Sequence, residues 1–318
     1  MLRMLAAVTA LTLSAGAVMA QDVTVAVTSI VEHPALDAVR DGVRDGLAER
    51  GFTAGENMAF EFQTAQGNPA TAAQIARQYV GESPDVIVPI STPSAQAVVS
   101  AAGGSIPVVF SAVTDPVGAQ LVSDLTGPGG NVTGVSDLSP ISDHLALVRE
   151  ILPEARRLGV IFNSGEANSV ALVEKLKEFA PGAGFEVVEA TATRSSEVQQ
   201  AALSLTGKVD AIYVPTDNTV ISALEAAVQV AQQNRIPLFT ADTDSVRRGA
   251  IAAVGFNYYD VGRQTAELVA RILEGETAGD IPVVLAEGTN LVVNPAAAEA
   301  MGVELSPGLV ARANEVIE

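Results

Sequence analysis

Six short segments carry the side chains able to do chemistry: TSIVEH (28–33), ISTPSA (90–95), SAVTDP (111–116), FNSGEANS (162–169), VPTDNT (214–219) and TADTDS (240–245). Each includes or follows the end of an apolar run, and each is rich in short hydroxyl, amide or carboxylate groups. They hold Glu32, Asp115, Glu166, Asp217, Asp242 and Asp244 but no Lys or Arg; Arg247 comes a little later. Taken singly, such residues are ordinary helix caps and turn formers. Capping uses one oxygen per helix, and stretches such as TDN and NSGEANS supply more. An ammonium group taken out of water wants a carboxylate partner. A carboxylate is suited by hydroxyls and by the free N–H groups of a helix start. An amino acid has both needs: its amine could go to Asp217 or Asp115, and its carboxylate to Thr92, Ser91 or a helix N-terminus.

Catalytic patterns are weak by contrast. The chain has two histidines, His33 and His144, no cysteine and no GxSxG elbow. GPGGNVTG (127–134) lacks the Gly-Lys-Ser/Thr of a phosphate loop and reads as turns. DTD (242–244) lacks the remainder of a calcium loop. Glu32-His33 reads as a helix start, with His33 reaching toward a ligand. The expectation is a protein with no catalytic group, no metal and no cofactor.

The elements that must position these segments alternate regularly. Strand patterns at 23–29, 57–66, 85–90, 106–113 and 131–137 enclose helix patterns at 33–51, 69–82, 93–103 and 115–125. In the first helix Leu36, Val39, Val43 and Leu47 recur at three or four residues, opposite a charged face. The cycle restarts with strands at 157–164, 185–192, 210–215, 236–242 and 249–257 and helices at 167–184, 195–207 and 218–235. A further helix covers 258–276, and 281–302 is extended before it turns. Three phrases recur in order: VAVTS (25–29) and VIFNS (160–164), DVIVPIST (85–92) and DAIYVPTD (210–217), IPVVFSAVTD (106–115) and IPLFTADTDS (236–245).

This pattern predicts an α/β chain of two equivalent Rossmann-like parallel-sheet lobes joined by a multi-strand hinge near 134–139, 254–257 and 284–290. The expected N-terminal lobe is 21–136 plus about 256–285, and the C-terminal lobe 137–255 plus about 286–318. In such sheets ligands bind beyond the carboxyl ends of the strands, where the six segments lie.

The opening MLRMLAAVTALTLSAGAVMA has the layout of a secretory signal, with cleavage expected after Ala20. Its apolar run is short of the roughly 20 residues needed to span a bilayer. Without cysteine there is no lipid attachment at the cleavage site and no disulfide. The formal net charge is -19, a surface that repels nucleic acid. The expected product is a free, monomeric protein of the periplasm.

SIVEHPALDAVRDGVRDGL, FSAVTDPVGAQLV, PGGNVTGVSD, GVIFNSGEANSV and VDAIYVPTDNTV resemble the ABC-transporter substrate-binding proteins of the tryptophan-binding-protein-like group. The resemblance covers nearly all of the chain after residue 20. It implies a type I periplasmic-binding-protein fold with three crossovers, a small-molecule ligand held between the lobes, and a membrane permease and ATPase as partners. It also implies a lining: Ser29, Glu32 and His33; Thr92 and Pro93; Ala112, Thr114 and Asp115; Asn163, Glu166, Ala167, Asn168 and Ser169; Thr216, Asp217 and Asn218; and Asp242. An amino acid leads as ligand. A sugar is the runner-up, weakened by the absence of Trp and the presence of only four Tyr. A sensor feeding a signalling partner is the alternative output.

Overall fold

The computed structural model describes residues 23–318; the expected signal segment, 1–20, lies outside them. The first lobe begins with β1 (Val23–Ser29), α1 (Pro34–Glu49), β2 (Met58–Thr64), α2 (Pro69–Glu82), β3 (Val86–Ile90), α3 (Thr92–Ala102), β4 (Val108–Val113) and β5 (Val132–Ser136). The second comprises α4 (Ile141–Ile151), β6 (Arg157–Phe162), α5 (Ala167–Phe179), β7 (Glu186–Thr191), α6 (Val198–Leu205), β8 (Ala211–Val214), α7 (Asn218–Ser222), α8 (Leu224–Asn234), β9 (Leu238–Thr240) and β10 (Ala252–Phe256). Then follow α9 (Tyr258–Leu273), β11 (Val284–Leu285), β12 (Thr289–Val293), α10 (Pro295–Ala300), α11 (Pro307–Arg312) and β13 (Glu315–Val316).

One parallel sheet runs β11-β5-β4-β3-β1-β2 and a second runs β7-β6-β8-β9. Every residue of β3, β4 and β5 is buried, as strands covered by helices on both faces must be. A third sheet, β10-β12-β13, is mixed: β12 runs antiparallel to β10 and parallel to β13. The parallel pattern expected for the lobes does not extend to it, because β12 returns from a crossover rather than from a covering helix.

Two apolar cores result. One draws on Val25 to Val135 and again on Phe256 to Val283. The other draws on Ile141 to Ala252 and again on Leu291 to Leu309. The chain therefore passes between the cores three times. The late helix α9 joins the first core by packing on α1 through Gly42 and Gly262. A β-carbon on Gly42 would sit 2.1 Å from the Tyr259 carbonyl oxygen, and one on Gly262 2.2 Å from that of Val39. Only glycine permits that approach.

Three helix expectations change. Residues 115–125 form turns: the Asp115 carboxylate accepts the Gly118 N–H at 2.8 Å, and Gln120 sits at φ +61°. The span 218–235 breaks at Ala223, whose φ of −126° is not helical, giving α7 and α8. The span 167–184 stops at Phe179, ahead of the turn formed by PGAG.

Candidate ligand-binding site between the lobes

Strand order arranges the tips along the cleft. In the first lobe the order β1, β3, β4, β5 sets out His33, then Ser91 and Thr92, then Ala112 and Thr114, then Asp137. Facing them from the second lobe are Asn168 after β6, Thr216, Asp217 and Asn218 after β8, and Asp242 after β9. Together with Ala35, Leu36, Ile221 and Tyr258 these residues line one chamber between the lobes.

Three carboxylates line the chamber, Asp137, Asp217 and Asp242, and no Lys or Arg does. Their commitments differ. Asp217 accepts the Asn163 N–H at 2.6 Å, the Ser169 hydroxyl at 2.6 Å and the Val220 N–H at 2.7 Å. It thereby caps α7 and ties it to the β6 tip. Asp242 accepts the backbone N–H and hydroxyl of Ser245 at 2.8 and 2.7 Å. Asp137 accepts the Tyr258 hydroxyl at 2.8 Å, with a weak 3.4 Å contact from Thr114. Burial pushes all three carboxyls above the usual range, and the neighbouring Glu166 charge pushes Asp217 further.

Residues lining the same chamber carry buried polar atoms without a protein partner: Ser91 Oγ, Thr92 Oγ1, Asn168 Oδ1, Thr216 Oγ1 and His33 Nδ1. Buried polar groups are ordinarily satisfied, so such a cluster calls for an explanation. Ser91 and Thr92 open α3, and Ser91 makes no capping bond. Ser91 at φ +74° and Ala112 at φ +53° occupy backbone regions costly for side-chain-bearing residues. His33 is held neutral, its pKa brought down to about 3 by burial and by nearby Arg248. His144 is a core residue instead, with its Nδ1 2.7 Å from the Tyr213 hydroxyl.

Of the residues expected from the sequence, His33, Thr92, Ala112, Thr114, Asn168, Thr216, Asp217, Asn218 and Asp242 line the chamber. Others do not. Glu32 is exposed. Ser29 donates to the Val31 carbonyl at 2.6 Å. Pro93 lines an outer groove. Asp115 and Ala167 line a depression at the rim. Glu166 lines both outer hollows and accepts from Thr219 Oγ1 at 2.7 Å and from the Asn218 side chain. Asn163 and Ser169 stand behind Asp217 as its donors. Sequence reasoning missed Asp137, Tyr258, Ala35, Leu36 and Ile221. For Asp137 the signal was present: VTGVSD ends an apolar strand on a carboxylate, as the six chosen segments do.

Among the described residues, no group of three or more His, Cys, Asp or Glu is placed to hold a metal ion. The arrangement can hold a small molecule with a positive group near the carboxylates and an anionic group near the α3 hydroxyls. Residues 24–317 match the family described as ABC transporter substrate binding protein. The chain belongs to that family. ABC substrate-binding proteins are an extracytoplasmic class, and the fold is that of the type I periplasmic binding proteins.

Three relatives bear on this member of the family. The tyrosine-binding protein of Clostridioides difficile (strain R20291) is 42% identical over 270 residues, 85% of this chain and 78% of the relative. The structure of an ABC domain in complex with L-Trp from Streptococcus pneumonia is 34% identical, covers 93% of this chain and 100% of that one, and superimposes with a TM-score of 0.90. The ligand-free, open structure of a substrate binding protein with adhesive properties from Clostridium difficile is 40% identical over 93% of this chain and 99% of that one, yet reaches a TM-score of only 0.70. Sequence distance would order these two structures the other way. This chain thus superimposes better on the L-Trp complex than on the open structure.

Proposed function

We propose that the protein is a receptor that captures an amino acid, aromatic by analogy with the names of its relatives, and delivers it to the permease and ATPase of an ABC importer. The observation that carries this reading is the chamber's two-ended polarity. Carboxylates with no Lys or Arg among the lining residues favour an ammonium group, and unpartnered hydroxyls at the start of α3 favour a carboxylate.

The first reading of the tips gave the amine to Asp217 or Asp115. In the revised assignment Asp137 takes it, aided by Asp242, because Asp217 is already answered by three short bonds and Asp115 lies at the rim. Ser91 and Thr92 take the carboxylate. Closure of the lobes buries these contacts, and the ligand stabilises the closed state by the difference in its affinity for the two. A neutral sugar brings no positive charge to the three carboxylates. Secretion by the 1–20 segment, with release as a free monomer, completes the reading.

The test is thermal-shift screening of the purified protein against amino acids, sugars, nucleosides and small anions, since a ligand of the native state alone raises the melting temperature. Amino acids should give the largest shifts. Stabilisation by sugars and by no amino acid would refute the reading.

A further inference from the structure

The chamber holds one more unmet polar group than the main-chain part of an amino acid can satisfy. A carboxylate takes the hydroxyls of Ser91 and Thr92. An ammonium has three N–H groups to give, and the aspartate oxygens together with the oxygens of Asn168 and Thr216 suffice for them. His33 Nδ1 is left over, although His33 is only 9% exposed.

His33 follows β1, three places along the sheet from β5, the strand that precedes Asp137. The wall beside His33 is apolar, made by Ala35, Leu36 and Ile221. The imidazole is not committed elsewhere: His33 is the N-cap residue of α1 but its side chain makes no capping bond. Arg248, whose charge is felt at the ring from the second lobe, is itself engaged by Glu225 and the Ile221 carbonyl.

Resting on the amino-acid reading above, we infer that His33 is a specificity-determining residue whose Nδ1 hydrogen-bonds a polar atom on the far edge of the ligand's aromatic ring. The site thereby selects a phenol or indole side chain over a plain phenyl ring. The ring lies along Ala35, Leu36 and Ile221, and its polar edge meets the imidazole. A phenolic hydroxyl can donate or accept and fits either neutral tautomer; an indole N–H needs Nδ1 as acceptor. A phenyl ring leaves a buried nitrogen unpaired, which is the condition under which sites reject an analogue lacking the hydrogen-bonding group.

The experiment is calorimetric titration of the protein, and of His33→Leu and His33→Asn, with L-tyrosine, L-tryptophan and L-phenylalanine. Unliganded melting temperatures are checked first. The wild type should bind tyrosine or tryptophan at least about 100-fold tighter than phenylalanine. His33→Leu should shrink that ratio to less than about fivefold by weakening the polar-edged ligand while leaving phenylalanine unchanged or improved. His33→Asn, whose amide can stand in for Nδ1, should restore at least about tenfold discrimination. Phenylalanine binding the wild type as tightly as both others would overturn the assignment while leaving the amino-acid reading intact, and that arm does not depend on any variant folding. An unchanged ratio in a folded His33→Leu would also overturn it. No binding of any of the three would overturn this assignment and the aromatic part of the amino-acid reading with it.

Discussion

DVIVPIST and DAIYVPTDN are equivalent strand ends, one per lobe, yet their polar groups stand in opposite conditions. At the first, Ser91 and Thr92 are buried without partners and Ser91 is held at φ +74°. At the second, Asp217 is equally buried but answered by Asn163, Ser169 and Val220. One tip leaves its polar groups unanswered. The other is spent holding its own lobe together. A polar residue at a strand end can serve either purpose, and what separates them is whether the lobe already satisfies it.

The largest expected effect sharpens the contrast at the chamber's carboxylate end. Asp137→Ala should weaken amino-acid binding by about 100-fold or more, since it leaves a desolvated ammonium short of its partner. Calorimetric titration checks this, and unaltered affinity would move the ammonium elsewhere. Asp217→Ala comes next and should act on the fold. Stranding three buried donors should cost about 3 kcal/mol of stability, read as a lower urea midpoint. If instead stability holds and only binding falls, the two tips are not different in kind.

Thr92→Val should do the reverse on a smaller scale. It removes a hydroxyl the empty protein does not use, so stability should hold or rise while affinity drops by about tenfold. The smallest effect is on pH dependence. Asp244 is pushed up to about 6 by burial and the Asp242 charge, and burial also raises Asp137 and Asp242. The folded protein keeps these protons where the unfolded chain has lost them. Their contribution to stability is therefore complete below about pH 4 and is lost as pH rises, that of Asp244 through about 6. Urea unfolding of the empty protein should show this decline. The melting-temperature rise caused by an amino acid should grow with rising pH as the raised chamber carboxylates ionise.

Much of the fold was legible because its signals are local or repeated. Leu36, Val39, Val43 and Leu47 announce α1 by spacing, and all four are buried in the first core. The phrase pairs announce two lobes. The break at Ala223 and the turns at 115–125 were not legible, since both depend on backbone angles that composition does not fix. The site was half legible for a related reason. Tips after strands can be read from sequence, so His33, Thr92 and Asp242 were found. Whether a tip residue faces the chamber, its own lobe or the solvent depends on partners far along the chain. Asn163 lies 54 residues from Asp217, and Asp137 meets a hydroxyl 121 residues away on Tyr258. Asp137 ends the last strand pattern of the first cycle, where the chain is expected to cross between lobes, so its position alone does not mark it as another tip.

The central claim is that the chamber has a cation-holding end at Asp137 and an anion-holding end at Ser91 and Thr92. The most direct measurement is titration with three matched compounds: an aromatic L-amino acid that binds, its decarboxylated amine and its deaminated acid. The account predicts that each truncated compound binds at least about 100-fold more weakly than the amino acid, and that Asp137→Ala weakens the amine as well as the amino acid but leaves the deaminated acid nearly unaffected. A deaminated acid that binds the wild type as tightly as the amino acid would contradict it.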